Sequence, residues 1–241
     1  MRLAAAIAAG ALCSAATAAD QPLTLSRTAT LAQLFSANEA ASLEKTLPAD
    51  RPLQFRLREP GDGARGVLVY ISPTDSGELA PGWAPVLDRE RLLYIAADGF
   101  GNSRPVAERI LAALGALRMA RTLGSLDEKR RYIAGMSGGG RVASQVITHF
   151  PRYFSGALCI VGADYFMPED EASRSQVGSR RMVFLTGNRD FNQREMQLVA
   201  RRYRQAGVAS VLLIDRPGFG HELPPPDEFA RAIDFLDGTV Q

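Results

Sequence analysis

Tyr132-Ile133-Ala134-Gly135-Met136-Ser137-Gly138-Gly139-Gly140-Arg141-Val142-Ala143 is the stretch on which the fold turns. A short apolar run enters a cluster of glycines and continues in a helical pattern, as when a strand turns directly into a helix. Glycines two before and two after Ser137 permit a turn so tight that the serine stands strained at its tip. Its hydroxyl is then held above the carboxyl edge of a sheet, at a helix N-terminus whose free N–H groups favour an oxyanion. The competing explanation is a nucleotide-binding turn. A phosphate loop needs Gly-x-x-x-x-Gly-Lys-Ser/Thr, and here Arg141 follows the glycines with no lysine.

Similar apolar runs recur at residues 67–71, 92–96, 157–161, 182–185 and 211–214. They are continuous rather than alternating, which indicates strands buried on both faces of a parallel sheet. Helical patterns fill the intervals: after Ser103 and Pro105, from Gly138 to His149, after Asn192 and after Asp227. The expected architecture is α/β, a doubly wound and mostly parallel sheet in three layers. Pro52 to Leu57 reads as an edge strand at the front, and residues 20–49 carry no pattern that assigns them. Gly162 to Arg181 is too short an interval for a large cap domain, so an open site is expected.

The chain has 241 residues, 46% hydrophobic and 22% charged, which excludes disorder, collagen-like repeats and a disulfide-stapled miniprotein. Lys and Arg number 28 against 26 Asp and Glu, and the arginines are scattered among acids. That balance gives no footprint for nucleic acid. Met1-Arg2, the small apolar run from Leu3 and the exit Ala16-Thr17-Ala18-Ala19 have the pattern of a secretory signal over residues 1–19. Residues 20–241 are then expected to form a single domain, secreted or periplasmic, without stable membrane insertion. Nothing in the residues sets an oligomeric state. Cys13 falls in the leader and leaves Cys159 in an apolar run, read as a buried strand cysteine with no disulfide partner.

Two further residues join Ser137. The run 182–185 ends in Thr186-Gly187-Asn188-Arg189-Asp190, and the run 211–214 leads to Pro217-Gly218-Phe219-Gly220-His221. Each of the three lies just past a different strand, where an open α/β sheet presents its site. The sequence has two histidines, and His149 sits at the far end of the helix that Ser137 opens, which leaves His221 as the base. For the acid, Asp190 is favoured and Asp164, one strand earlier, is its rival. With so few histidines and cysteines, no metal and no cofactor are expected.

From Pro52 onward the chain resembles the α/β-hydrolase superfamily, on the glycine-flanked serine, the Gly187-x-x-Asp190 loop and the Gly220-His221 loop in that order. It looks most like compact secreted esterases of the polyhydroxybutyrate-depolymerase and feruloyl-esterase type. The resemblance implies cofactor-free hydrolysis of carboxylic esters through an acyl-serine, with Ser137, Asp190 and His221 as the triad. It also implies two oxyanion donors, assigned to the N–H of Met136 and that of Thr74, with Ser72 in reserve because Pro73 has no N–H. Many relatives carry His-Gly where this chain has Ser72-Pro73. Trp83, Tyr165 and Phe166 are candidates for lining the substrate site, with ordinary loop packing as the alternative. The expected partner is an ester, including bulky or polymeric ones. A thioesterase or peptidase using the same triad is the nearest other reading, and a non-catalytic binding protein keeping the fold is the distant one.

Overall fold

A computed structural model describes residues 25–239 of the chain. The leader expected at 1–19 lies outside the described residues. The strands are β1 (Leu25–Thr30), β2 (Pro52–Arg58), β3 (Gly66–Ile71), β4 (Leu92–Ala97), β5 (Arg131–Met136), β6 (Gly156–Ile160), β7 (Arg181–Gly187) and β8 (Ser210–Arg216). They form one sheet in the order β1-β2-β4-β3-β5-β6-β7-β8. The β1–β2 and β2–β4 pairings are antiparallel, and every pairing from β4 through β3 to β8 is parallel.

Successive side chains of a strand face opposite sides, so continuous apolar strands need cover on both. Val67, Val69, Ile133 and Phe184 point to one face, where α4 (Val106–Leu123), α5 (Gly138–His149) and α7 (Gln193–Gln205) bring Leu111, Val146 and Met196. Leu68, Tyr132 and Val183 point to the other, under α3 (Ala84–Arg89) and α8 (Pro226–Asp237) with Leu87 and Phe229. Three layers result. Between β6 and β7 the chain adds only the short α6 (Glu171–Gly178), and no large cap domain.

The front of the chain departs from expectation. Pro52 to Leu57 is no edge strand, because β1 pairs outside it, Leu25 opposite Leu57. β1 is exposed along most of its length, so it carries no apolar alternation to reveal it. The two helices that follow, α1 (Leu31–Leu34) and α2 (Ala37–Leu43), each start with a reciprocal capping box. Thr30-x-x-Gln33 and Ser36-x-x-Glu39 spell these caps in the sequence, a legible signal for the segment that hydrophobic pattern alone leaves unassigned. Pro105 is itself the N-cap of α4 rather than its first-turn residue. Among the described residues no helix is long and apolar enough to cross a membrane.

Candidate active site

Ser137 links β5 to α5 with φ 55° and ψ −121°, a left-handed conformation for a residue with a side chain. Such strain persists only where the surroundings dictate it. Here Ser137 N–H donates to Ile160 O of β6 at 2.8 Å, and the glycines do the rest. A Cβ on Gly135 would collide with the backbone of Gly139, and one on Gly139 with the carbonyl of Ile71. Only glycine lets the helix start this close to the end of β3.

The serine hydroxyl lies 2.9 Å from His221 Nε2, and His221 Nδ1 lies 2.8 Å from Asp190 Oδ1. A carboxylate only accepts, so Nδ1 carries the proton and Nε2 is the free acceptor for the serine O–H. Asp190 is buried and takes two more hydrogen bonds, from Thr186 Oγ1 at 2.7 Å and from the N–H of Asn192 at 3.1 Å. The β7 and β8 loops are laced together by Arg189 N–H to Phe219 O (3.0 Å) and Gly218 N–H to Asn188 Oδ1 (2.7 Å). That lacing fixes where His221 stands. The rival acid, Asp164, is engaged elsewhere, with Arg141 at 2.9 Å and Gln145 at 2.7 Å. His149, at the other end of α5, bonds Gln145 O through Nδ1 (2.8 Å).

A hydrogen-bonded serine–histidine–carboxylate chain, its acid buried and its serine and histidine half-buried, at the carboxyl edge of a sheet in this strand order decides the fold. The chain has the α/β-hydrolase fold. No family model matches it. It is 29% identical over 129 residues to a pimeloyl-[acyl-carrier protein] methyl ester esterase of Shewanella sp. (strain MR-7), 54% of this chain and 46% of that one. The chain thus spans about half the length of that relative. A solved ferulic acid esterase superposes with TM-score 0.64 at 16% identity, over 90% of this chain and 97% of the other. A thermostable esterase superposes with TM-score 0.60 at 17% identity, over 88% of this chain and 62% of the other.

Within the hydrolase fold several expected site residues need correction. Met136 precedes the serine in β5, and N–H groups of successive strand residues face opposite neighbours. Because Ser137 N–H points to β6, that of Met136 points toward β3, in the plane of the sheet. Gly138 is the first residue of α5, where an N–H has no partner within the helix, and Ser137 supplies no side-chain cap to occupy it. Thr74 is not displaced from its expected role, but its N–H is engaged, donating to Ser72 Oγ at 3.1 Å, with the two hydroxyls 3.0 Å apart. Trp83 lines no site. Its ring is fully buried, stacked on Phe229 at 3.9 Å, with Nε1 donating to Pro224 O at 3.1 Å.

Tyr165 and Phe166 run away from the serine. Tyr165 packs on Tyr203 and under the Arg202 guanidinium, and Phe166 stacks on His149 at 4.1 Å. His149 is 12 residues along α5, roughly 17 Å from the serine end at 1.5 Å per residue. The aromatic beside the site is one that hydrophobic patterning does not single out, Phe191. Its ring is 79% exposed and stacks on His221 with centroids 4.2 Å apart. Its position directly after Asp190 was the available signal. Buried Cys159 is a thiol rather than a second nucleophile, since burial pushes its ionisation well up.

Proposed function

We propose that this protein is a serine hydrolase of carboxylic esters. The observation that carries the reading is the continuous hydrogen-bonded chain Ser137–His221–Asp190. Ser137 Oγ attacks the ester carbonyl while His221 Nε2 takes its proton, then returns it to the departing alcohol oxygen. Water activated by the same imidazole releases the acyl group. Asp190 holds His221 in the required tautomer and offsets its transient charge. Gly138 N–H is the first oxyanion donor. The second is Thr74 N–H, which exchanges Ser72 Oγ for the oxyanion when substrate is bound. Phe191 offers an apolar wall beside the atom that protonates the leaving group.

The Shewanella relative is described as a methyl ester esterase, which favours esters over thioesters or peptides for this chain. An assembled triad favours catalysis over a purely binding role. Among the described residues no large cap stands over the sheet edge, which suits bulky or polymeric esters as well as small ones. The apolar start with its small-residue exit supports export of residues 20–241 as one secreted or periplasmic domain. Amino-terminal sequencing of protein recovered outside the cytoplasm should begin at Ala19 or Asp20.

Intact-mass labelling with a fluorophosphonate tests the chemistry. One adduct on Ser137, absent in Ser137→Ala, is expected, and the variant should lose about a million-fold in turnover. Folded protein that takes no label would reverse the reading in favour of binding.

A further inference from the structure

Arg109, in the first turn of α4, is only 4% exposed, and among the described residues no carboxylate pairs with it. A guanidinium buried without a counter-ion is costly, and a core position facing apolar neighbours would be filled more stably by leucine or methionine. Each of its three nitrogens donates to a backbone carbonyl. Nε reaches Phe100 O at 3.1 Å, Nη1 reaches Gly138 O at 3.2 Å, and Nη2 reaches Ser72 O at 3.0 Å.

Those carbonyls belong to three separate segments, the loops after β4 and β3 and the first residue of α5. Two of the three are the segments that carry the oxyanion donors. Gly138 is the donor after the serine, and Ser72 both precedes Pro73-Thr74 and holds the Thr74 N–H. The Phe100 loop is tied in as well, since Asn102 N–H donates to Pro73 O at 2.9 Å. A planar guanidinium with fixed donor directions sets the spacing of the three carbonyls in a way that a single-point ammonium cannot.

We propose that Arg109 is a positioning residue that fixes the oxyanion hole, and that its uncompensated buried charge behind Gly138 favours the anionic tetrahedral intermediate. The proposal rests on the ester-hydrolase reading. Negative charge appears on the substrate oxygen only as Ser137 adds to the carbonyl, so Arg109 acts on turnover and not on ground-state binding. Burial also makes the cation felt further than it would be at the surface.

The test compares wild type with Arg109→Met and Arg109→Lys on a soluble acetate ester, and measures inhibition by a trifluoromethyl ketone that adds to the serine as a charged tetrahedral adduct. Arg109→Met should lower kcat about 100-fold, the scale of one lost oxyanion donor. KM should stay within about three-fold, and the ketone should weaken in step with kcat. Arg109→Lys keeps the charge but not the fork, and should lose only about ten-fold. Ketone affinity unchanged while kcat falls would overturn the proposal, as would a lysine variant no better than the methionine one. If Arg109→Met does not fold by circular dichroism, the lysine variant decides alone, since its kcat and ketone affinity must fall together. Wild type that neither hydrolyses an ester nor takes the Ser137 label overturns the hydrolase reading and this proposal with it. Labelled, active wild type with an unaffected Arg109→Met overturns only the proposal.

Discussion

Asn192 stands at the start of α7 where a capping side chain is expected, yet it makes no side-chain cap. Its amide instead donates to Val161 O at 2.8 Å, while its own N–H donates to Asp190. Val161 is a fully buried β-branched residue at φ 46°, a conformation such residues rarely adopt. It is flanked by Ile160, which accepts the Ser137 N–H, and by Gly162, which lies against the Ser137 backbone. One residue thus spans from the acid's end of the triad, through its backbone N–H, to the serine's end, through its side chain. Asn192→Ala should leave the Val161 carbonyl buried and unpaired, at about 1–3 kcal/mol in urea unfolding, and lower kcat roughly ten-fold, one factor of 1.4 kcal/mol. Asn192→Asp should do worse, because a carboxylate meets a carbonyl oxygen and Asp190. Unchanged kcat in both variants would remove Asn192 from the site. None of this was legible in the sequence, where Asn192 reads as a cap. Ser137 and His221 were legible, because the chain has few histidines and the serine's glycines have one geometric use. The proposed oxyanion donors were not, since which N–H is free to serve depends on strand alternation and on a hydroxyl two residues away.

At the scale of elements, legibility follows burial. β3 through β7 are buried on both faces and announce themselves as apolar runs, whereas β1 is a mostly exposed edge whose Leu25 and Ala29 make no apolar run. The loop after β6 was harder for another reason: its aromatics are real, but backbone direction carries them down α5 instead of over the serine. Cys159 tests how closed the centre of the sheet is. It sits in β6 opposite Gly135 of β5 and Phe184 of β7, fully covered. Only the thiolate reacts with disulfide reagents, and burial holds Cys159 in the thiol form. A chain of residues 20–241 should therefore show no reactive thiol at pH 8, and one after unfolding in urea. The native rate should be about a thousand-fold slower or less, limited by opening of the sheet. Ready labelling of folded protein would mean that β6 frays, and with it the support for Ser137.

Across the whole molecule, four of the six tyrosines are buried: Tyr70, Tyr94 and Tyr132 under α3 and α8, Tyr203 on the opposite face. Burial is the main cause that raises the ionisation of all four phenols well above the ordinary range. Three also act as donors, Tyr94 to Gly77 O (3.0 Å), Tyr203 to Asp164 O (3.1 Å) and Tyr132 to Asp237, and a phenolate cannot donate. Above about pH 10 the unfolded chain loses these protons and the native one keeps them. The native state then binds more protons, so stability falls as pH rises, by roughly 1.4 kcal/mol per pH unit for each tyrosine and roughly 5.5 for the four together. Because the phenols lie in both cores and the two cores share one sheet, the two layers are expected to titrate together. Absorbance at 295 nm from these four should therefore appear in one steep step together with the loss of far-ultraviolet circular dichroism. Tyr70→Phe isolates the linkage, since among the described residues its hydroxyl has no hydrogen-bond partner to lose. That variant should unfold at higher pH than wild type and with a shallower slope. Tyrosinate absorbance that rises well before the dichroism falls would show that at least one face of the sheet opens to hydroxide on its own, and the two cores would then not unfold as a single unit.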